Sequence, residues 1–67
     1  MQITMKAARI NVNLSQEEAA TRLGVSKATI INWENGRSFP DVMQLKRIEE
    51  VYGVSYNNLL FLPQVHA

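Results

Sequence analysis

Apolar residues recur at helical spacing along most of the chain, and polar punctuation divides them into runs. Met5, Ala8, Arg9 and Val12 share one face of a first run, from about Ile3 to Val12. Ala19, Ala20 and Leu23 share a face in the second run, and Ile30 and Trp33 do so in the third. The fourth carries the stripe Leu45, Ile48 and Tyr52, with Val42 or Val51 at its margin. Ser15, Ser26, Asp41 and Ser55 stand where a side-chain oxygen can accept from an orphaned amide of a first helical turn. Ser15 with Glu18, and Asp41 with Gln44, have the spacing of a capping box. Gly24, Gly36 and Gly53 follow helical runs at the point where a left-handed residue ends a helix. Asn11 to Asn13 plays that part for the first run, because Asn tolerates the left-handed region best after Gly. No strand-like alternation accompanies these patterns. They predict an all-α fold of five short helices, the last beginning after Ser55.

Only Gly24 and Val25 separate the second and third runs, so those helices must cross steeply instead of lying side by side. That is the helix-turn-helix arrangement, about residues 15–36, whose second helix can enter the DNA major groove. Val25 is placed to plug the corner beneath both helices.

Composition narrows the chemistry. A chain of 67 residues supports one small core, so the expectation is a single helix-turn-helix DNA-binding domain over 1–67. Cysteine is absent, which removes disulfides and thiolate metal sites and suits a reducing cytoplasm. No apolar run is long enough for a bilayer, and "MQITMKAARINV" lacks the apolar core of a secretory signal. The expectation is therefore a cytoplasmic protein with no membrane partner. The lone His66 lies near the terminus, and no His or Cys pair has metal-ligand spacing. Glu17/Glu18 and Glu49/Glu50 are sequence neighbours, so each pair diverges by about 100° around a helix instead of converging on a substrate. The expectation is no enzyme, no cofactor and no metal.

The ordered series Arg9, "LSQEE.A..LGVS...I..WE.G" from Leu14 to Gly36, Pro40 and "YGVS...LL" from Tyr52 to Leu60 resembles the Cro and phage-repressor type of helix-turn-helix regulator, the XRE family. The resemblance spans about residues 5–62 and implies a lambda-repressor-like DNA-binding domain. Two positions depart from the family pattern: Ala19 stands where Leu is more usual, and Asn13 where Gly is common.

With Ser26 as N-cap, Lys27 and Ala28 open the third helix, and Ile31 and Asn32 return to the same side one turn later. Lys can donate to guanine O6 and N7, Asn can pair with adenine N6 and N7, and an Ala methyl can touch a thymine methyl. The resemblance implies base reading at Lys27, Ala28 and Asn32; Ile31 is either a further base contact or a core edge. An ordinary solvated helix face is the alternative for all four. Gln16, in the first turn of the second helix, is placed to hold a phosphate oxygen, and the family uses a matching Gln this way. Ser26, Thr29, Arg37 and Lys6 are further candidates for phosphate contact.

Arg9 on an apolar face and Glu34 beside Trp33 are expected to be partly buried, and a charge so placed is normally paired. In the family a matching Arg and Glu bridge the two helices; the alternative is an exposed pair of little worth. Net charge is only +1, but Lys6, Lys27 and Arg37 gather at the proposed DNA face while Glu49 and Glu50 fall on the fourth helix. Lys46 and Arg47 soften that polarity, and Glu17 opposes it. The closing segment, about 54–63, holds more apolar residues than one short helix buries on one side. Tyr56, Leu59, Phe61 and Leu62 are accordingly expected to pair two copies, so that two recognition helices sit about one DNA turn apart. The expected function is a Cro-like repressor, binding a palindromic operator as a homodimer. The competing reading is an antitoxin or other protein-interaction module, with a toxin or another regulator as partner.

Overall fold

The computed structural model describes residues 2–61. Strand β1 (Ile3–Thr4) leads into α1 (Met5–Asn11), α2 (Gln16–Leu23), α3 (Lys27–Glu34) and α4 (Val42–Tyr52). One 3₁₀ turn (Tyr56–Asn58) and strand β2 (Leu59–Leu60) follow. The described residues thus hold four α-helices, not five, and a two-stranded parallel sheet that the apolar pattern did not predict.

The physical reason lies in the closing segment. Ser55 accepts from the Asn57 amide at 3.3 Å and starts only a 3₁₀ turn. Leu59 then leaves in an extended conformation and pairs with Ile3, as Leu60 does with Thr4. A strand has a period of two, so Leu59 is 6% exposed and Leu60 42%. The apolar surplus is divided by strand alternation instead of by a helix face. The same pairing delays the first helix: Thr4, not an earlier residue, caps α1, its hydroxyl accepting from the Ala7 amide at 3.1 Å.

The other boundaries follow local chemistry. Ser15 and Asp41 each form a complete capping box, with Glu18 and Gln44 reaching back to the cap amides. Gly24 ends α2 at φ 70°, with its own amide on the Thr21 carbonyl and that of Val25 on Ala20, a Schellman ending. Asn13 is the non-glycine residue at positive φ, 61°, closing the turn after α1.

Packing then sets the helix-turn-helix pair in place. α2 rests on both α3 and α4, and α1 touches α3 and α4. Ile30 and Ile48 are fully buried at the centre, with Trp33, Leu23 and Tyr52 around them. Ala8 and Ala19 have no exposure, so small side chains let the helices approach closely. Val25 is half-buried and packs against this core from the turn, while Leu59 packs into it from β2. No helix among the described residues is long and apolar enough to cross a membrane.

Candidate nucleic-acid interface

The N-terminal end of α3 carries the candidate reading residues. Ser26 caps it, its Oγ accepting from the Thr29 amide at 3.1 Å and lying 3.0 Å from the Thr29 hydroxyl. Lys27 and Ala28 are exposed, and Ile31 and Asn32 half-exposed, while Ile30, Trp33 and Glu34 are buried. At 100° per residue the first four span about 140° of the helix circumference, away from Ile30 and Trp33 and bordered by Glu34. α3 therefore presents one contiguous outward arc with a cation, a methyl group, an apolar side chain and an amide. These are the donor and apolar chemistries that major-groove edges accept.

Two ion pairs occur among the described residues, and both bear on this arc. Arg9 Nε donates to Glu34 Oε2 at 2.7 Å and Nη2 to Oε1 at 3.3 Å, while Nη1 donates to the Leu14 carbonyl at 2.8 Å. Each residue is 7% exposed, so the pair is buried. It fastens α1 and the turn before α2 to the last residue of α3, which restrains the angle at which α3 projects. The bond to Glu34 raises the Arg9 pKa above its usual value against the opposing cost of burial. The second pair is superficial: Lys27 Nζ donates to Glu17 Oε1 at 3.4 Å.

Gln16 is half-buried at the first position of α2, and its Nε2 donates to Glu34 Oε1 at 3.2 Å. A side-chain amide has a second N–H, which stays available for a phosphate oxygen. The Arg9–Glu34 pair thus extends through Gln16 to the surface. Sequence reasoning missed this link and the Lys27–Glu17 contact, because partners so far apart leave no periodic signal. It also missed the Tyr52 hydroxyl, which is buried without a hydrogen-bond partner among the described residues. Burial, reinforced by the Glu34 charge, pushes the Tyr52 phenol up to about 12, while Arg9 opposes the shift.

The remaining candidates are scattered. Lys6 on α1 and Arg37 beyond α3 are exposed, and Thr29 is half-exposed. Of the residues expected to pair two copies, Leu59 is 6% exposed and packs into the protein's own core. Phe61 is half-buried and packs edge-on against Phe39, with ring centroids 6.0 Å apart at 73°, and lies 6.3 Å from Tyr56. Tyr56, Phe39 and Leu60 are exposed. Leu62 and His66 lie outside the described residues.

A capped, outward-facing helix joined by a tight glycine turn to a supporting helix defines a helix-turn-helix domain. The helix-turn-helix family profile matches residues 5–59. The chain belongs to this family, as a Cro/XRE-type member, and the family's membership implies DNA-binding regulation of transcription. Among curated proteins it is 38% identical over 52 residues to the HTH-type transcriptional activator BcrR of Enterococcus faecalis, covering 78% of this chain and 26% of that protein. The chain therefore spans about a quarter of the activator's length. It is 34% identical over 62 residues to an uncharacterised HTH-type transcriptional regulator of Methanothermobacter thermautotrophicus, covering 92% of this chain and 90% of that one. A similar regulator of Methanocaldococcus jannaschii is 36% identical over 59 residues, covering 88% and 89%. No solved structure matches the chain significantly.

Proposed function

We propose that the protein is a sequence-specific, double-stranded-DNA-binding transcriptional regulator, a Cro-like repressor that works without catalysis or cofactor, in the cytoplasm, as a homodimer on a palindromic operator. The observation that carries the reading is the outward arc of Lys27, Ala28, Ile31 and Asn32 on a helix whose opposite side is anchored in the core. In this reading Lys27 and Asn32 donate to base edges, Ala28 and Ile31 contact apolar base surface, and Gln16, Ser26, Thr29, Arg37 and Lys6 hold phosphates. Binding at the operator then excludes other proteins from it. The eight residues of α3 are about 12 Å long, the length of roughly four base pairs. One copy reads too little DNA to select an operator, so two copies on symmetric half-sites supply the rest. The exposed Tyr56 and Leu60, with Phe39 and Phe61, form the surface on which they pair.

A second reading rests on a separate patch. Val42 and Met43 at the start of α4 are 69% and 75% exposed, adjacent apolar side chains to which the DNA-binding reading gives no part. That patch favours a protein partner, as an antitoxin would have.

The test is selection from random duplex DNA at near-physiological salt, repeated with Lys27→Ala and Asn32→Ala. The expected outcome is an enriched palindrome with half-sites about 10 base pairs apart. Each variant relaxes preference at one definite position, by about 1–3 kcal/mol per lost base contact. Enrichment of nothing, with residual binding indifferent to both substitutions and abolished by modest salt, leaves only phosphate attraction and overturns operator recognition. Recovery of one stoichiometric protein in a pull-down that Met43→Glu abolishes would then establish the second reading.

A further inference from the structure

We propose that Glu17 determines specificity by restraining Lys27, so that the recognition lysine contributes to binding only where a base acceptor displaces the carboxylate. The inference rests on the DNA-binding reading above and deepens it. Its basis is the one contact among the described residues that joins a candidate reading residue to an acidic side chain: Lys27 Nζ on Glu17 Oε1 at 3.4 Å, across the gap between the first turns of α2 and α3.

The location matters more than the strength. Glu17 follows Gln16, the candidate phosphate ligand, in the first turn of α2, so in the DNA-binding reading its carboxylate lies next to a phosphate contact. Its side chain is 77% exposed and that of Lys27 50%, so neither is held by packing and the contact exchanges freely with water or a ligand. On an arbitrary sequence Lys27 finds only phosphates and solvent. There Glu17 competes for the ammonium and repels the backbone, and the lysine's contribution to non-specific attraction is reduced. On a half-site with guanine at the matching position, O6 and N7 offer two fixed acceptors to the same ammonium. The exchange then yields a better partner for Lys27 in place of a weak one. Glu17 thereby suppresses non-specific binding more than operator binding, which is negative selection against wrong sequences. For a domain whose net charge is +1, this limits the time spent on bulk DNA without adding a contact.

The experiment measures dissociation constants of the wild type, Glu17→Gln, Lys27→Ala and the double variant for the selected operator and for a random duplex, each at several salt concentrations. Gln keeps the size of Glu and loses its charge, and the exposed site leaves the melting temperature within a few degrees. Glu17→Gln is expected to tighten random-duplex binding about five- to tenfold and operator binding about twofold or less. The specificity ratio then falls about 2.5- to tenfold, and the salt slope on random DNA steepens by about one. In the Lys27→Ala background Glu17→Gln is expected to leave the ratio unchanged. Equal tightening on both DNAs overturns the proposal and reduces Glu17 to a general repulsive charge. Loss of operator affinity confined to one base pair also overturns it, because Glu17 would then contact a base directly. A wild-type chain with no sequence preference overturns the operator reading itself, a different result from a preference that Glu17→Gln fails to weaken.

Discussion

Replacing Arg9 by Ala tests the buried pair on which the pose of α3 depends. The guanidinium makes three hydrogen bonds, two to Glu34 and one to the Leu14 carbonyl, and removing it leaves Glu34, 7% exposed in the intact fold, with only the Gln16 amide, at 3.2 Å, among its described side-chain partners. A carboxylate stranded in that way costs about 3–5 kcal/mol. A core in a chain this short supplies roughly that much stability in total. Arg9→Ala is therefore expected to be largely unfolded at 25 °C in urea titrations followed by far-ultraviolet circular dichroism, with a melting temperature lowered by about 15–30 °C where a transition survives. Because a stranded charge is the cause, removing both charges relieves it: Arg9→Met with Glu34→Leu is expected to recover most of the loss. Arg9→Lys falls between, since an ammonium keeps the charge but not the planar fork that reaches both oxygens and the carbonyl. A loss below about 1 kcal/mol for Arg9→Ala would refute the reasoning, because that is the worth of an exposed pair. So would a double variant no better than the single one.

Tyr52→Phe removes an orphaned buried hydroxyl, so it is expected to leave stability unchanged or raise it; a loss above about 1.5 kcal/mol would show that the hydroxyl is bonded. The Tyr52 phenol titrates at about 12 in the fold against about 10 when unfolded, so the neutral form is the one the fold favours. Its stabilisation is complete below pH 10 and lost as pH rises towards 12, a decline that alkaline melts should show in the wild type and see diminished in Tyr52→Phe. Glu18 is held below its ordinary carboxyl pKa of 4.5 by hydrogen bonds with the Ser15 backbone and side chain. Its contribution is present above that value and lost as pH falls through the lower folded one; an NMR titration in Ser15→Ala should move its midpoint up, and that variant should cost about 1 kcal/mol at neutral pH. Asn13→Ala is expected to lose about 1 kcal/mol in denaturant melts because φ is 61°, whereas Asn13→Gly stays near neutral; equal effects would remove the backbone explanation.

Sequence by itself determined whatever is decided within a few residues. The caps at Ser15, Ser26 and Asp41 and the left-handed glycines Gly24 and Gly53 act through bonds to their own helix ends, so α2, α3 and α4 were legible almost to the residue. The two-residue turn at Gly24 and Val25 likewise dictated the crossing of α2 and α3, and the helical period separated the outward arc of Lys27, Ala28, Ile31 and Asn32 from Ile30 and Trp33. Tertiary structure decided what depends on distant partners. The apolar run after Ser55 reads along the chain as a fifth helix, and only the pairing of Ile3 with Leu59 makes it a strand and turns Leu59 inward. Gln16 on Glu34 and Lys27 on Glu17 are matters of how two helices cross, and no spacing along one helix encodes them. Local hydrogen bonds set the elements; which polar groups meet across them is fixed by packing, because packing alone brings distant side chains within bonding distance.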